Sequence, residues 1–239
     1  MTIAVPILMY HYLGDPPTVE DRPYYVARET FRDQLDLLHA EGFATVDLID
    51  LAQHLEHGAA LPAWPVILTF DDGHTSFHEV AADTLARTGY TATVFAITGR
   101  VGDPGYCDWH QLREVERAGH QVGSHTHTHP ILTRLDDDAT TDELTCSREI
   151  LAAELGHSVE ILAYRGGHHD ERVVQLTRDA GYRCAVTTRP GINGPGADLL
   201  TLRRNAVRQD DTGERLLTKL RPEPRPSLAR RLIRRLVPR

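Results

Sequence analysis

The sequence predicts an α/β fold, a distorted and incomplete (β/α) barrel of about seven parallel strands, on three observations. Short apolar runs alternate with amphipathic stretches. Glycines stand where the amphipathic stretches stop. Ligand-type side chains follow directly on several apolar runs. The runs are Val5–Tyr10, Val66–Phe70, Thr91–Ile97, Gln121–Ser124, Ile161–Tyr164, Cys184–Thr187 and Leu199–Leu202. Short continuous apolar runs of this kind mark strands buried on both faces, as parallel strands are. Between them, Phe31, Leu35, Leu38 and Phe43 share one helix-like face, and Val80, Leu85 and Ala86 another. The longest helical pattern runs from Ala139 to Leu155, with Leu144, Ile150, Leu151 and Leu155 apolar among acidic residues. Gly89, Gly119, Gly156 and Gly181 then sit at helix ends, where the left-handed conformation is needed. A doubly wound open sheet is the alternative arrangement of the same units. The stretches Asp15 to Tyr25 and Arg189 to Asp198, rich in Pro, Gly or acidic residues, read as surface loops.

Charge divides the chain into two parts. The 239 residues carry a formal net charge of −8. Residues 221–239 hold seven arginines and one glutamate, a surplus of six positive charges that leaves −14 on the rest. A body that acidic excludes a general nucleic-acid binder, which needs a basic face. The expected organisation is a catalytic domain over 1–220 and a basic tail over 221–239. In the tail, Leu228, Leu232, Ile233 and Leu236 fall on one helical face and Arg230, Arg231, Arg234 and Arg235 on the other. That pattern suits peripheral contact of residues 226–238 with an anionic membrane surface, or equally a tail that packs or stays unfolded. Three scattered cysteines, Cys107, Cys146 and Cys184, make no disulfide framework and fit a reducing compartment. The apolar N-terminal stretch lacks a basic leader and reads as a strand rather than a signal peptide. The expected location is therefore cytoplasmic, with or without membrane association.

Two clusters carry chemistry. The first, Thr69-Phe70-Asp71-Asp72-Gly73-His74, ends a buried strand with paired carboxylates. Ligands of parallel β/α folds sit at such strand ends. Neighbouring side chains diverge there, so one carboxylate can hold a metal while the other acts as a base. The competing reading is a helix N-cap, for which Asp is equally suited. The second cluster is Gly123-Ser124-His125-Thr126-His127-Thr128-His129-Pro130. His125 and His129, four apart, meet on one side of a helical turn; in an extended segment His127 joins them. Pro130 argues for a tight turn. Two imidazoles and the Asp72 carboxylate with an open water position make a hydrolytic zinc site, and the same donors suit cobalt, nickel or manganese. Against this stands a solvated histidine-rich loop.

Together, the two motifs resemble the polysaccharide deacetylase family, the one with the chitooligosaccharide-deacetylase homology domain, over roughly residues 4 to 208. The resemblance implies a distorted β/α barrel that removes acetyl groups from acetylated sugars with one divalent metal. It makes Asp71 the catalytic base and Asp72, His125 and His129 the metal ligands. Leu8-Met9-Tyr10-His11 resembles the segment that circularly permuted exopolysaccharide deacetylases place ahead of the Asp pair, which makes His11 the general acid. The chain departs from the family at Leu162-Ala163-Tyr164-Arg165-Gly166-Gly167-His168-His169, where Ala163 takes the position of the usual base-orienting Arg. Arg165 is left with three readings: a shifted partner for Asp71, a contact for an anionic substrate, or a surface residue. Gly166 and Gly167 offer amides for an oxyanion, Tyr164 is a substrate-side candidate, and His168 and His169 are expected on the loop rim.

The resulting expectation is a metal-dependent de-N-acetylase acting on an acetylated carbohydrate, without a nucleic-acid partner. Two alternatives stand beside it: the same fold cleaving a non-polymeric C–N bond, and a non-catalytic glycan-binding relative. With only Trp64 and Trp109, no aromatic platform for a long glycan is evident, and Trp109 reads as a packing residue at a helix start. Cys107 lacks an evident base and is no nucleophile candidate.

Overall fold

The structure, a computed structural model, describes residues 3–220. The basic tail and its proposed membrane contact therefore lie outside the described residues. The strands are β1 (Val5–Tyr10), β2 (Tyr12–Leu13), β3 (Tyr25–Val26), β4 (Ala44–Thr45), β5 (Pro65–Phe70), β6 (Thr93–Ala96), β7 (Gln121–Ser124), β8 (Ile161–Ala163), β9 (Cys184–Val186), β10 (Ile192–Asn193) and β11 (Asn205–Ala206). The helices are α1 (Arg28–Ala40), α2 (Leu48–His57), α3 (Ala82–Thr88), α4 (Trp109–Arg117), α5 (Asp137–Leu155), α6 (Glu171–Asp179) and α7 (Glu214–Thr218).

The main sheet has the order β10-β1-β5-β6-β7-β8-β9. From β1 to β9 every pairing is parallel. Every residue of β1 and β5 is buried, as their unbroken apolar sequences require when helices cover the outer face and side chains fill the inner one. The expected parallel order fails at one edge, where β10 runs antiparallel to β1, so the sheet is mixed. That short strand lies within the stretch Arg189 to Asp198 that reads as a plain loop in the sequence.

The last expected strand is also different. The Asp198 carboxylate accepts the Leu200 amide at 3.0 Å and turns Leu199–Thr201 into a single 3-10 turn. Only Leu202 reaches β9, bridging to Val186. The chain then crosses to β1, where β11 pairs in parallel with Leu8 and Met9. Residues 202–206 thus form a strap over the gap between β9 and β1, which gives the distorted, incomplete barrel.

The helices follow the sequence pattern closely. Phe31, Leu35 and Leu38 of α1 are buried, whereas Phe43 lies past the helix end and enters the core from the next turn. Asp47 and Asp108 begin α2 and α4 with capping boxes, and Trp109 opens α4, packed partly against the core. Gly89 and Gly156 adopt the left-handed cap at φ 69° and 82°. Among the described residues, no helix is long and apolar enough to cross a membrane.

Candidate active site

The C-terminal ends of β1, β5, β7 and β8 open into one pocket of about 380 Å³, lined among others by His11, Asp71, Asp72, His125, His129 and Arg165. Asp71 and Asp72 follow β5, and neither caps a helix. The next helical turn begins at Phe77 after Ser76, with no side-chain cap. The Asp71 amide donates to the Tyr10 carbonyl at 3.1 Å, which holds it beside the end of β1. Its carboxylate is buried and takes both terminal nitrogens of Arg204, Nη1 to Oδ1 at 2.6 Å and Nη2 to Oδ2 at 2.7 Å. Arg204 is itself fully buried, anchored by Nε to the Thr187 carbonyl at 2.9 Å and by Nη1 to Thr69 Oγ1 at 3.1 Å. Burial alone raises the Asp71 pKa, but the Arg204 guanidinium outweighs it, with smaller help from His125 and His11. The carboxyl is held well below the usual range.

Asp72 stands in the left-handed region at φ 75°. Its Oδ1 lies 3.5 Å from His125 Nε2 and 3.7 Å from His129 Nε2, and these two nitrogens are 3.2 Å apart. A tetrahedral metal with bonds near 2.1 Å spaces its donors by roughly 3.4 Å, so the triangle has the size of a divalent-metal site. The chemistry of the donors agrees. His125 Nδ1 donates to the Ala163 carbonyl at 2.7 Å, which fixes the tautomer and leaves the Nε2 lone pair facing Asp72. Burial and the neighbouring His125 lower the His129 pKa to about 4, so its ring is neutral and able to bind at neutral pH.

Local backbone strain builds this triangle. Thr126 and His129 also have left-handed φ, 67° and 65°, and with Asp72 they are the non-glycine positive-φ residues among those described. Such conformations persist only where neighbours enforce them. Here the Thr126 amide donates to Ser124 Oγ at 3.1 Å and the His129 amide to Thr126 Oγ1, also at 3.1 Å. The tight turn expected from Pro130 is therefore real. It sends His127 elsewhere, with Nδ1 2.9 Å from Thr98 Oγ1, so His127 is not a third donor.

Two side chains that the sequence does not flag complete the floor. Arg204 is one. Tyr12, at the start of β2, is the other: its hydroxyl donates to Asp72 Oδ2. Each Asp72 oxygen thus has its own partner. His11 follows β1 and packs edge-on against Tyr12 and Tyr24. Burial lowers its pKa, and the charges of Asp71 and Asp72 offset part of that effect.

A family model for polysaccharide deacetylase matches residues 59–185, more than half of the chain. The chain belongs to the polysaccharide deacetylase family. A chitooligosaccharide deacetylase of Rhizobium leguminosarum bv. trifolii is 29% identical over 176 residues, covering 66% of this chain and 79% of that protein. The Streptococcus pyogenes deacetylase PplD, solved with acetate, superposes with a TM-score of 0.87 at 27% identity, covering 93% of this chain and all of PplD. BC0361, a polysaccharide deacetylase from Bacillus cereus, gives 0.83 at 27% identity, covering 92% of this chain and 70% of its own. Family membership supports a deacetylase role for this chain.

The segment in which this chain departs from the family divides between the core and the pocket lip. Arg165 does not reach Asp71, whose carboxylate is already occupied by Arg204; it is exposed on the pocket lip. Tyr164 is fully buried in the cluster with Leu132, Leu144 and Val173, away from the pocket lining, which corrects its reading as a substrate-side residue. Tyr164 continues the alternation of β8: it shares a cluster with Leu162, whereas Ile161 and Ala163 belong to the main core. The Gly167 amide is spent on the Tyr164 carbonyl at 2.8 Å, which leaves Gly166 as the lining glycine. His168 lies on the rim, and His169 turns back with Nδ1 2.8 Å from the Gly167 carbonyl and its ring stacked on Tyr164. Cys107 is buried and its thiol is pushed up to about 12, so it is no nucleophile.

Proposed function

We propose that residues 1–220 form a metal-dependent hydrolase that removes acetyl groups from N-acetylated amino sugars in a polysaccharide, oligosaccharide or sugar conjugate. One observation carries the reading. A three-donor triangle of metal-site size shares a pocket with an ionised carboxylate that cannot rotate away, because Arg204 holds both of its oxygens.

Asp72, His125 and His129 would hold one divalent ion, zinc first, with cobalt, nickel or manganese as alternatives. When bound, such an ion polarises a carbonyl and lowers the pKa of water. Asp71 accepts the proton of the attacking water. Its depressed pKa keeps it ionised and so able to take that proton. His11, on the β1 side of the pocket, donates a proton to the departing amine. Its lowered pKa makes it a ready donor once it is protonated. The sugar amine and acetate are the products. Gly166 and Arg165 line the lip where the acetyl group and the rest of the substrate enter. The contact of the tail with a membrane remains part of the proposal, independent of this chemistry.

The test is acetate release from N-acetylglucosamine oligomers by protein stripped with chelator and reloaded with one equivalent of zinc. Activity should return with zinc and be absent without it. Absence of acetate from every N-acetylated sugar tried, at full zinc occupancy, refutes the reading.

A further inference from the structure

Tyr24 is 50% exposed and lines the pocket. Among the described residues, the other large exposed hydrophobics are Val19 and Trp64, and neither lines this pocket. Tyr24 ends a 3-10 turn, Arg22–Tyr24, and the next residue enters β3. That segment is fastened to the barrel. Tyr12 and Leu13 pair with Tyr25 and Val26, the Gly14 amide donates to the Val26 carbonyl at 2.9 Å, and the Leu13 amide donates to Ser76 Oγ at 3.1 Å. The ring is therefore presented on a pinned support, with its centroid 5.2 Å from that of His11 and the two planes at 64°.

Position decides what this ring does. In the reaction proposed above, on which this inference rests, the leaving nitrogen is bonded to the sugar ring and takes its proton from His11. The sugar must then lie on the His11 side, and the acetyl carbonyl on the Asp72–His125–His129 side. Two rings flank His11: the Tyr12 hydroxyl is engaged by Asp72, and Tyr24 is the exposed one. A pyranose offers one apolar face of C–H groups and a rim of hydroxyls. An exposed phenol ring matches the face, and the Asp21 carboxylate, in the same lining, matches the rim. We propose that Tyr24 is the platform on which the sugar ring bearing the acetamide stacks, so that this pocket selects a pyranose over an acyclic acetamide.

The experiment uses the zinc-loaded full chain and compares wild type with Tyr24→Ala, Tyr24→Phe and Tyr24→Trp. Substrates are the N-acetylglucosamine trimer and N-acetylethanolamine. Tyr24→Ala should raise KM for the trimer about tenfold with little change in kcat, and narrow the preference for the trimer by the same factor. Tyr24→Phe and Tyr24→Trp should restore it. Calorimetric binding of the trimer to the zinc-loaded Asp71→Asn background, with and without Tyr24→Ala, reads stacking without turnover. An equal loss on both substrates, a loss confined to kcat, or failure of Phe and Trp to rescue overturns the stacking role while leaving the deacetylase reading intact. No acetate from either substrate, with trimer binding still dependent on Tyr24, overturns the deacetylase reading and leaves the platform standing.

Discussion

Asp71 and Asp72 are neighbours in the chain and opposites in the fold. Asp71 has ordinary backbone geometry, complete burial and a forked partner contributed from 133 residues away. Asp72 has strained backbone, a tyrosine hydroxyl from β2 on one oxygen and two imidazoles facing the other. The first is fixed by a distant charge, the second by a left-handed turn and a tyrosine hydroxyl. A base must keep one orientation and stay ionised. A metal ligand must aim a lone pair at a point shared with other donors. In the proposed reading one dipeptide meets both demands, because consecutive side chains at a strand end diverge and each is then governed by different neighbours.

The comparison can be broken most forcefully at Asp71. Asp71→Asn should lower kcat by about 10³-fold while zinc content, read by elemental analysis, stays at one equivalent. Loss of zinc along with activity would mean that the two carboxylates do not divide the work. Arg204→Met attacks the same side through its anchor. It leaves a carboxylate buried without a partner, for which about 3–5 kcal/mol of stability is the expected loss in denaturant unfolding. A loss under about 1 kcal/mol would show that the ion pair does not hold this side together.

On the Asp72 side, Tyr12→Phe removes one hydrogen bond from a ligand and should weaken zinc binding about 10- to 100-fold in a competition titration, with stability little changed. An unchanged zinc affinity would reduce Tyr12 to packing. The smallest effect concerns pH. The folded-state pKa of Asp71 is depressed, so its contribution to stability is full above the unfolded value of about 3.9 and is lost as pH falls toward the folded value. The stability gap between wild type and Asp71→Asn should therefore be constant from about pH 5 to 8 and shrink below about pH 4. A gap that instead closes near neutrality would assign the effect to a histidine.

The same contrast explains what could be read from the sequence. Local features were legible. Asp72, His125 and His129 announce themselves through adjacency and spacing, and the proline after His129 announces the turn that gathers them. The barrel was legible because buried parallel strands leave continuous apolar runs such as Val66–Phe70. Remote features were not. Arg204 sits in Leu202-Arg203-Arg204-Asn205, where it looks like one of two surface arginines, and only the crossing of the strap from β9 to β1 turns it inward. Arg165, the nearer arginine, was one candidate for its role. Tyr12 looks like the continuation of an apolar strand, and Tyr164 was misplaced because the register at the end of β8 decides which of two neighbours faces the pocket. Tyr24 lies in what reads as a Pro-rich and acidic surface loop, so nothing in the sequence marks it as part of the pocket lining.

The strap has a consequence for the order in which this protein comes into being. Residues 202–206 close the barrel, and the same few residues carry the guanidinium that makes a buried Asp71 tolerable. Until that late segment docks, the carboxylate has no reason to leave water. Without that contact the Asp71 carboxylate stays hydrated and unaimed. Closure of the barrel and placement of the Asp71 carboxylate against the Arg204 guanidinium are then a single event.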